Sequence, residues 1–311
     1  MFEGADALRT CRKGPGSGHM PLQSSKHSPE AIARHSAAAS ALKPPLVLVL
    51  TCRHSPPDRI ASARAQLSAI LPDARVEVVD GLVDTDAATR KLIDPWRVKL
   101  LSKRPLTLRE VAAYGTHRMA WARLVQSGED CAIVLEDDFA IIDPDQLRAL
   151  VASLPEVMAL QIDMLKLFDF PRAAAGGWAL TRNLGPLTLC RWASPRAGLV
   201  GYVLTADGAR RFLSRSRVYR VVDEDIKYFW ELGLEIWSLR PGPVIDASAR
   251  MGGSLLEQTR LDVRRQRSLR RSLHGMVLAL HRRLRNALAF GWACLALTDA
   301  KLQRFDNGKL P

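Results

Sequence analysis

Three consecutive carboxylates, Glu136, Asp137 and Asp138, sit between two apolar runs in AIVLEDDFAI (132–141). Adjacent acids repel one another, and the interior of a strand has no use for them. They mark either a solvated turn or a place where a cation binds. In an extended chain, residues two apart point the same way. Glu136 and Asp138 are therefore expected on one side of the strand end, with Asp137 on the other. Two carboxylates so placed make a hard oxygen site suited to Mg²⁺ or Mn²⁺, completed by water and phosphate oxygens.

The elements that position these acids are legible in the hydrophobic pattern. PPLVLVLTC (44–52) is continuously apolar, as befits a strand buried on both faces of a parallel sheet. Ile60, Ala63, Leu67 and Ile70 then recur at helical spacing, and VEVVDGL (76–82) reads as a second strand. Strand, helix, strand at this spacing opens an α/β domain. The clearest helix is 106–128, where Thr107 and Glu110 have capping-box spacing and Gly128 is a fitting stop. It leads into AIVL, a third buried strand that ends at the acids. Ligands of open parallel sheets gather outside such carboxyl ends.

Further along, 144–154 reads as a helix and 159–167 as a strand. Residues 169–197 read as irregular or as short antiparallel strands. Strand and helix are expected over 199–216, then helix and strand over 226–245. A second acidic group, Asp223, Glu224 and Asp225, precedes the helix expected near Ile226 and has the residue types to cap it. His117 shares a helix face with Glu110, Tyr114 and Trp121, the usual setting of a satisfied structural histidine.

The 311 residues carry 45 Lys and Arg against 32 Asp and Glu, a net charge of +13 that suits a polyanionic neighbour. Between Arg260 and Arg285 the arginines crowd around an apolar stripe of Leu269, Leu273, Met276, Leu280 and Leu284. A helix of that kind lies on an anionic membrane surface or packs its stripe onto the domain. Nucleic acid is disfavoured, because no interleaved aromatic or binding motif accompanies the arginines. Cys11, Cys52, Cys131, Cys190 and Cys294 follow no disulfide or zinc spacing, which points to a reducing cytoplasm. The expected organisation is a disordered leader (1–43), an α/β domain (44–256) and a basic amphipathic helical tail (257–311).

The ordered motifs resemble bacterial glycosyltransferase family 25, which includes lipopolysaccharide and lipooligosaccharide glycosyltransferases. They are Arg53 and Arg59 after the first strand, Val79-Asp80-Gly81, Leu106-Thr107 with Glu110, Thr116-His117, Trp121 and Val134 to Asp138. Tyr202, Gly208-Ala209 and Val222-Asp223 continue the series, so the likeness spans roughly 46–254. The chain departs from the pattern at Thr51-Cys52-Arg53, at Ala113 and at Thr116. The resemblance implies a GT-A-like fold, Rossmann-type with a mostly parallel central sheet flanked by helices. It also implies inverting transfer of galactose or glucose from a UDP-sugar to a saccharide of a cell-envelope glycolipid, with Mn²⁺ or Mg²⁺ assisting.

On that reading Glu136 and Asp138 hold the metal. Arg53, Arg59, His117, Glu136 and Asp137 contact the donor nucleotide, and Asp223 or Asp225 takes the proton of the acceptor hydroxyl. The expected partners are the UDP-sugar, a lipid-linked saccharide acceptor and an anionic membrane surface met by residues 260–290, on the inner face of the cell membrane. The competing expectation is a non-catalytic basic module of the same fold that binds membrane or nucleic acid.

Overall fold

The apolar run after Pro45 forms β1 (Leu46–Thr51), buried on both faces. The computed structural model describes residues 43–170, 177–253 and 269–305, with side chains of the last segment described from Leu273. Leu46, Leu48 and Leu50 enter one apolar cluster, while Val47 and Val49 enter another on the opposite face. Helices cover both faces, which is why the strand reads as continuously hydrophobic.

α1 (Pro57–Ile70) buries Ala63 and Leu67 and leads to β2 (Arg75–Asp80), parallel to β1. Two short helices follow, α2 (Ala87–Leu92) and α3 (Pro95–Leu101), too brief for a hydrophobic period to register. α4 (Leu108–Ser127) starts at the expected capping box. Glu110 N donates to Thr107 Oγ1 at 3.2 Å, and Thr107 N donates to Glu110 Oε2 at 3.1 Å. It stops at Gly128, whose φ of 71° is left-handed. β3 (Cys131–Glu136) then pairs parallel with β1 on the side away from β2. The order β2–β1–β3 therefore reverses direction at β1, and a crevice opens beyond the ends of β1 and β3.

The second apolar run of AIVLEDDFAI does not prolong β3. It forms β4 (Phe139–Ile141), which pairs antiparallel with β10 (Val244–Asp246) in a separate two-stranded ribbon. Between them come α5 (Pro144–Ala152), α6 (Leu154–Ala159), β5 (Met164–Lys166), β6 (Gly177–Leu184) and β7 (Leu187–Trp192). β8 (Gly201–Thr205), α7 (Ala206–Leu213), α8 (Val222–Asp225), a 3₁₀ turn (Ile226–Glu231) and β9 (Ile236–Arg240) complete the stretch. The strand expected over 159–167 shortens to Met164–Lys166 because α6 ends at Ala159 and a turn through Gln161, at φ 56°, follows it, and the helix expected after 226 tightens to 3₁₀. α9 (Leu269–Ala296) and β11 (Lys301–Phe305) follow.

The described strands form a nine-stranded sheet in the order β11-β6-β7-β9-β5-β8-β3-β1-β2. Its pairings are parallel at β2–β1–β3 and β5–β9 and antiparallel elsewhere, so the α/β class holds with a mixed sheet. At its centre Lys166 is fully buried. Its Nζ donates to Asp169 Oδ1 at 2.6 Å, and Asp169 also accepts from Ser238 and Trp192. Burial alone would raise the Asp169 carboxyl, but Lys166 and these donors hold it below its ordinary range.

The leader expected over 1–43 lies outside the described residues except Lys43, as does the arginine-rich stretch 260–268. The rest of the expected tail is not all helix, since β11 joins the sheet beside β6.

Candidate functional site

β1 and β3 end side by side, with Leu50 in register with Glu136. The strand alternation persists through Asp137. Glu136 points to the face covered by α4, and Asp137 points to the face of α1, where Thr51 Oγ1 donates to its Oδ2 at 2.5 Å. The chain turns at Asp137 and Asp138, and there the alternation ends. Asp138 consequently does not simply share the Glu136 side. It meets the same guanidinium as Asp137, with Arg59 Nη1 3.3 Å from Asp137 Oδ1 and 3.2 Å from Asp138 Oδ2.

Arg59, which the sequence leaves open between a solvated helix face and a ligand contact, is 3% exposed. Its Nη2 donates to the carbonyl oxygens of Gly253 at 2.7 Å and Met251 at 2.9 Å. Thus it ties the acidic turn to the segment after β10. Burial, then the neighbouring charges of Glu136 and Asp246, push the Asp138 carboxyl up to about 7, and Arg59 only partly opposes them. Asp138 Oδ1 is buried and accepts no hydrogen bond.

His117 is buried on α4 between two partners. Its Nδ1 lies 2.9 Å from Tyr202 Oη and its Nε2 3.3 Å from Glu136 Oε1. Trp121 Nε1 donates to Tyr202 Oη at 2.8 Å. An ionised Glu136 can only accept, which assigns the imidazole proton to Nε2 and leaves Nδ1 to accept from Tyr202. The chain Trp121 → Tyr202 → His117 → Glu136 then has every donor matched to an acceptor. Trp121 stacks on Phe212 with centroids 4.3 Å apart, which fixes the far end of the chain.

Arg59, His117, Glu136, Asp137 and Asp138 line a cavity of about 370 Å³ beyond the ends of β1 and β3, together with Thr51, Asp84 and Arg109. The volume is that of a small-molecule site. Arg109 Nε pairs with Asp84 at 3.1 Å. Neither residue stands out in the sequence, although a signal exists. Arg109, Ala112, Ala113, Thr116 and His117 form one face of α4, and its small residues leave the room. The Val79-Asp80-Gly81 motif packs here too: a Cβ on Gly81 would stand 2.1 Å from Thr116 Oγ1. Thr116 in turn accepts from Leu82 N at 3.1 Å.

Other expected site residues lie elsewhere. Arg53 is half exposed and donates to Thr85 and Asp86 at 2.9 and 2.8 Å, and it does not line the cavity. Asp225 is buried and accepts from Tyr114 Oη at 2.7 Å, from Arg215 and from Arg220. A carboxylate held by three donors secures the fold and is not placed to take a substrate proton. Asp223 does not line the cavity either. It accepts from Gly198 N at 3.0 Å, at the start of the segment whose Val200 carbonyl accepts from Glu136 N at 2.8 Å. It therefore stands on the same rim of the sheet, one strand further along.

Among the described residues no three His, Cys, Asp or Glu side chains converge to hold a metal ion by themselves. Asp138 nevertheless meets one requirement of a cation site, a buried carboxylate oxygen that lacks a partner, and Glu136 lies close enough to raise its pKa. That buried oxygen of Asp138, with the more exposed Glu136 carboxylate beside it, would fit a hard divalent ion that takes its remaining ligands from water and a phosphorylated substrate. Asp137 is committed to Thr51 and Arg59.

No family model matches the chain, and no curated protein does. Among solved structures, the chain is similar to mannose-1-phosphate geranyltransferase from Thermus thermophilus at 11% identity and a TM-score of 0.34, over 68% of this chain and 80% of that one.

Proposed function

We propose that this chain is a glycosyltransferase that moves a hexose, galactose or glucose, from a UDP-sugar to a saccharide of a cell-envelope glycolipid, with inversion. The observation that carries this reading is the unpartnered Oδ1 of Asp138, buried beside Glu136 at a cavity where the strand order reverses. Motifs that follow one another in the sequence meet there: Gly81 against Thr116, and His117 on Glu136.

Asp138 and Glu136 are the residues that would hold Mn²⁺ or Mg²⁺, which supplies positive charge to the leaving diphosphate. Arg59 keeps the acidic turn in shape and limits the repulsion within it. Arg109 stands at the cavity wall, where a guanidinium suits phosphate oxygens. His117, fixed by Tyr202, orients the Glu136 carboxylate. Asp223 is the better candidate for the base, since Asp225 is committed to Tyr114 and two arginines.

The direct test is calorimetry with UDP in the presence and absence of Mn²⁺, for the natural chain and for Asp138→Ala. Metal-dependent UDP binding that the substitution removes supports the reading. UDP binding indifferent to both would sink the metal assignment. The alternative, a non-catalytic module of the same fold, is favoured by Arg59 sitting between Asp137 and Asp138. It predicts no UDP binding at all, with salt-sensitive binding to duplex DNA or lipid instead.

A further inference from the structure

α9 turns its polar side to the domain and its apolar side outward. Trp230 Nε1 donates to Asn286 Oδ1 at 2.9 Å, and Asn286 Nδ2 donates to Ser194 Oγ at 2.9 Å, with Asn286 buried. Arg282 pairs with Glu224, and the Arg285 guanidinium lies 4.7 Å from the Trp230 ring centroid. On the opposite face Leu273, Leu280, Leu284, Leu288 and Leu295 are between 58% and 75% exposed, and Trp292, 73% exposed, stands at the edge of that face over a groove against the domain. From Leu273 to Leu295 is a run of ~33 Å at helical rise. An apolar stripe of this extent facing water marks an interaction surface.

The charges around the stripe identify its partner. Arg283 and Arg285 flank it, and the sequence has no Asp or Glu between 263 and 298. Two copies meeting stripe to stripe would bring these arginines together without a neutralising acid. Residues 1–42 are themselves basic on balance, with Arg9, Arg12, Lys13, Lys26 and Arg34 against Glu3, Asp6 and Glu30. Lipid phosphates offer both the negative charge and the apolar layer beneath it. No described helix is long and apolar enough to cross a membrane, so such a helix lies in the plane of the surface.

We propose that α9 seats on an anionic lipid surface, with the stripe from Leu273 to Leu295 inserted below the headgroups and its flanking arginines on their phosphates. This goes beyond the transferase reading and does not depend on it.

The test is flotation of the full chain with vesicles of phosphatidylcholine alone or mixed with phosphatidylserine, for the natural chain and for L280E/L284E. The natural chain should float with the mixed vesicles and not with phosphatidylcholine alone. The double variant should lose at least ~10-fold in partitioning, because two Leu anchors are replaced by charge repelled from the anionic surface. Its thermal unfolding should be unchanged, since both side chains are exposed, and W292F should remove part of the fluorescence blue shift seen on the vesicles. Equal flotation of variant and natural chain would overturn the proposal. So would a concentration-dependent dimer that L280E/L284E abolishes without any vesicle binding, which would assign the stripe to a second copy. Vesicle binding that appears only after removal of residues 1–42 would assign the stripe to that segment and overturn the proposal as well.

Discussion

His117 Nε2 stands 3.3 Å from Glu136 Oε1, so a residue in the middle of α4 reaches across to the last residue of β3. The contact joins two motifs that are 19 residues apart and sets the direction of the Glu136 carboxylate. His117→Ala should weaken UDP binding about tenfold, and Tyr202→Phe about threefold, since the first removes the link to Glu136 and the second only the donor that fixes the ring. Calorimetry with UDP and Mn²⁺ measures both. A larger loss in Tyr202→Phe than in His117→Ala would reverse the assigned order of donors.

The Asp138 carboxyl, pushed up to about 7, makes stability depend on pH in a defined direction. Its folded pKa lies above the unfolded value, so the folded state binds the extra proton. Stability is therefore lost as pH rises from about 4 through about 7, by an amount on the order of a few kcal/mol. Asp138→Asn removes this dependence and should raise Tm relative to the natural chain at pH 8 but not at pH 4. Mn²⁺ should recover part of the deficit at pH 8 in the natural chain and none in the variant. Thermal melts at the two pH values decide it.

Asp223 and Asp225, both in α8, should separate cleanly. Asp225→Asn weakens the pairing with Arg215 and Arg220 and should lower stability by ~3 kcal/mol, because it leaves buried cations poorly compensated. Asp223→Asn should leave UDP binding intact and abolish hexose transfer. Chemical denaturation reads the first, and a paired binding and transfer assay reads the second. Normal transfer by Asp223→Asn would remove it as the base.

Lys166 and Asp169 form a buried pair at the centre of the sheet. Lys166→Met leaves the carboxylate without its cation and should cost ~3–5 kcal/mol. The double variant K166M/D169N should cost less than the sum of the single changes, as coupled partners do. Urea unfolding of the four proteins gives the coupling directly.

Gly81→Ala puts a methyl where Thr116 already stands, at 2.1 Å from its Oγ1. The strain should destabilise by ~1–3 kcal/mol, and G81A/T116A should regain part of it. Because the clash pushes on Thr116, next to His117 in the cavity face of α4, UDP affinity should fall in parallel with Tm and recover with it.

The local signals in the chain were strong where partners are near in sequence. The Thr107–Glu110 box, the Gly128 stop and the unbroken apolar run of β1 each depend on a few adjacent residues, and each appears in the fold. What could not be read depends on segments far apart. Asp225 reads in the sequence as a helix cap or a candidate base and becomes a buried anchor through Tyr114, which lies 111 residues away. Arg59 is ambiguous until the carbonyls of Met251 and Gly253 arrive beside it, and β4 finds its partner only in β10. The stripe of α9 was visible, but which face meets the domain rests on Asn286, Trp230 and Glu224.

β11 is the outermost strand beyond β6, paired with it from Lys301–Thr181 to Phe305–Gly177. A chain cut before residue 269 would lose α9, the helix proposed to meet lipid, and, in the same stroke, bare the backbone groups of an eight-residue strand. Bare sheet edges recruit other chains. Loss of the tail would therefore register as self-association as well as release from lipid, and point substitutions on α9 are what distinguish a severed tether from an unfinished sheet.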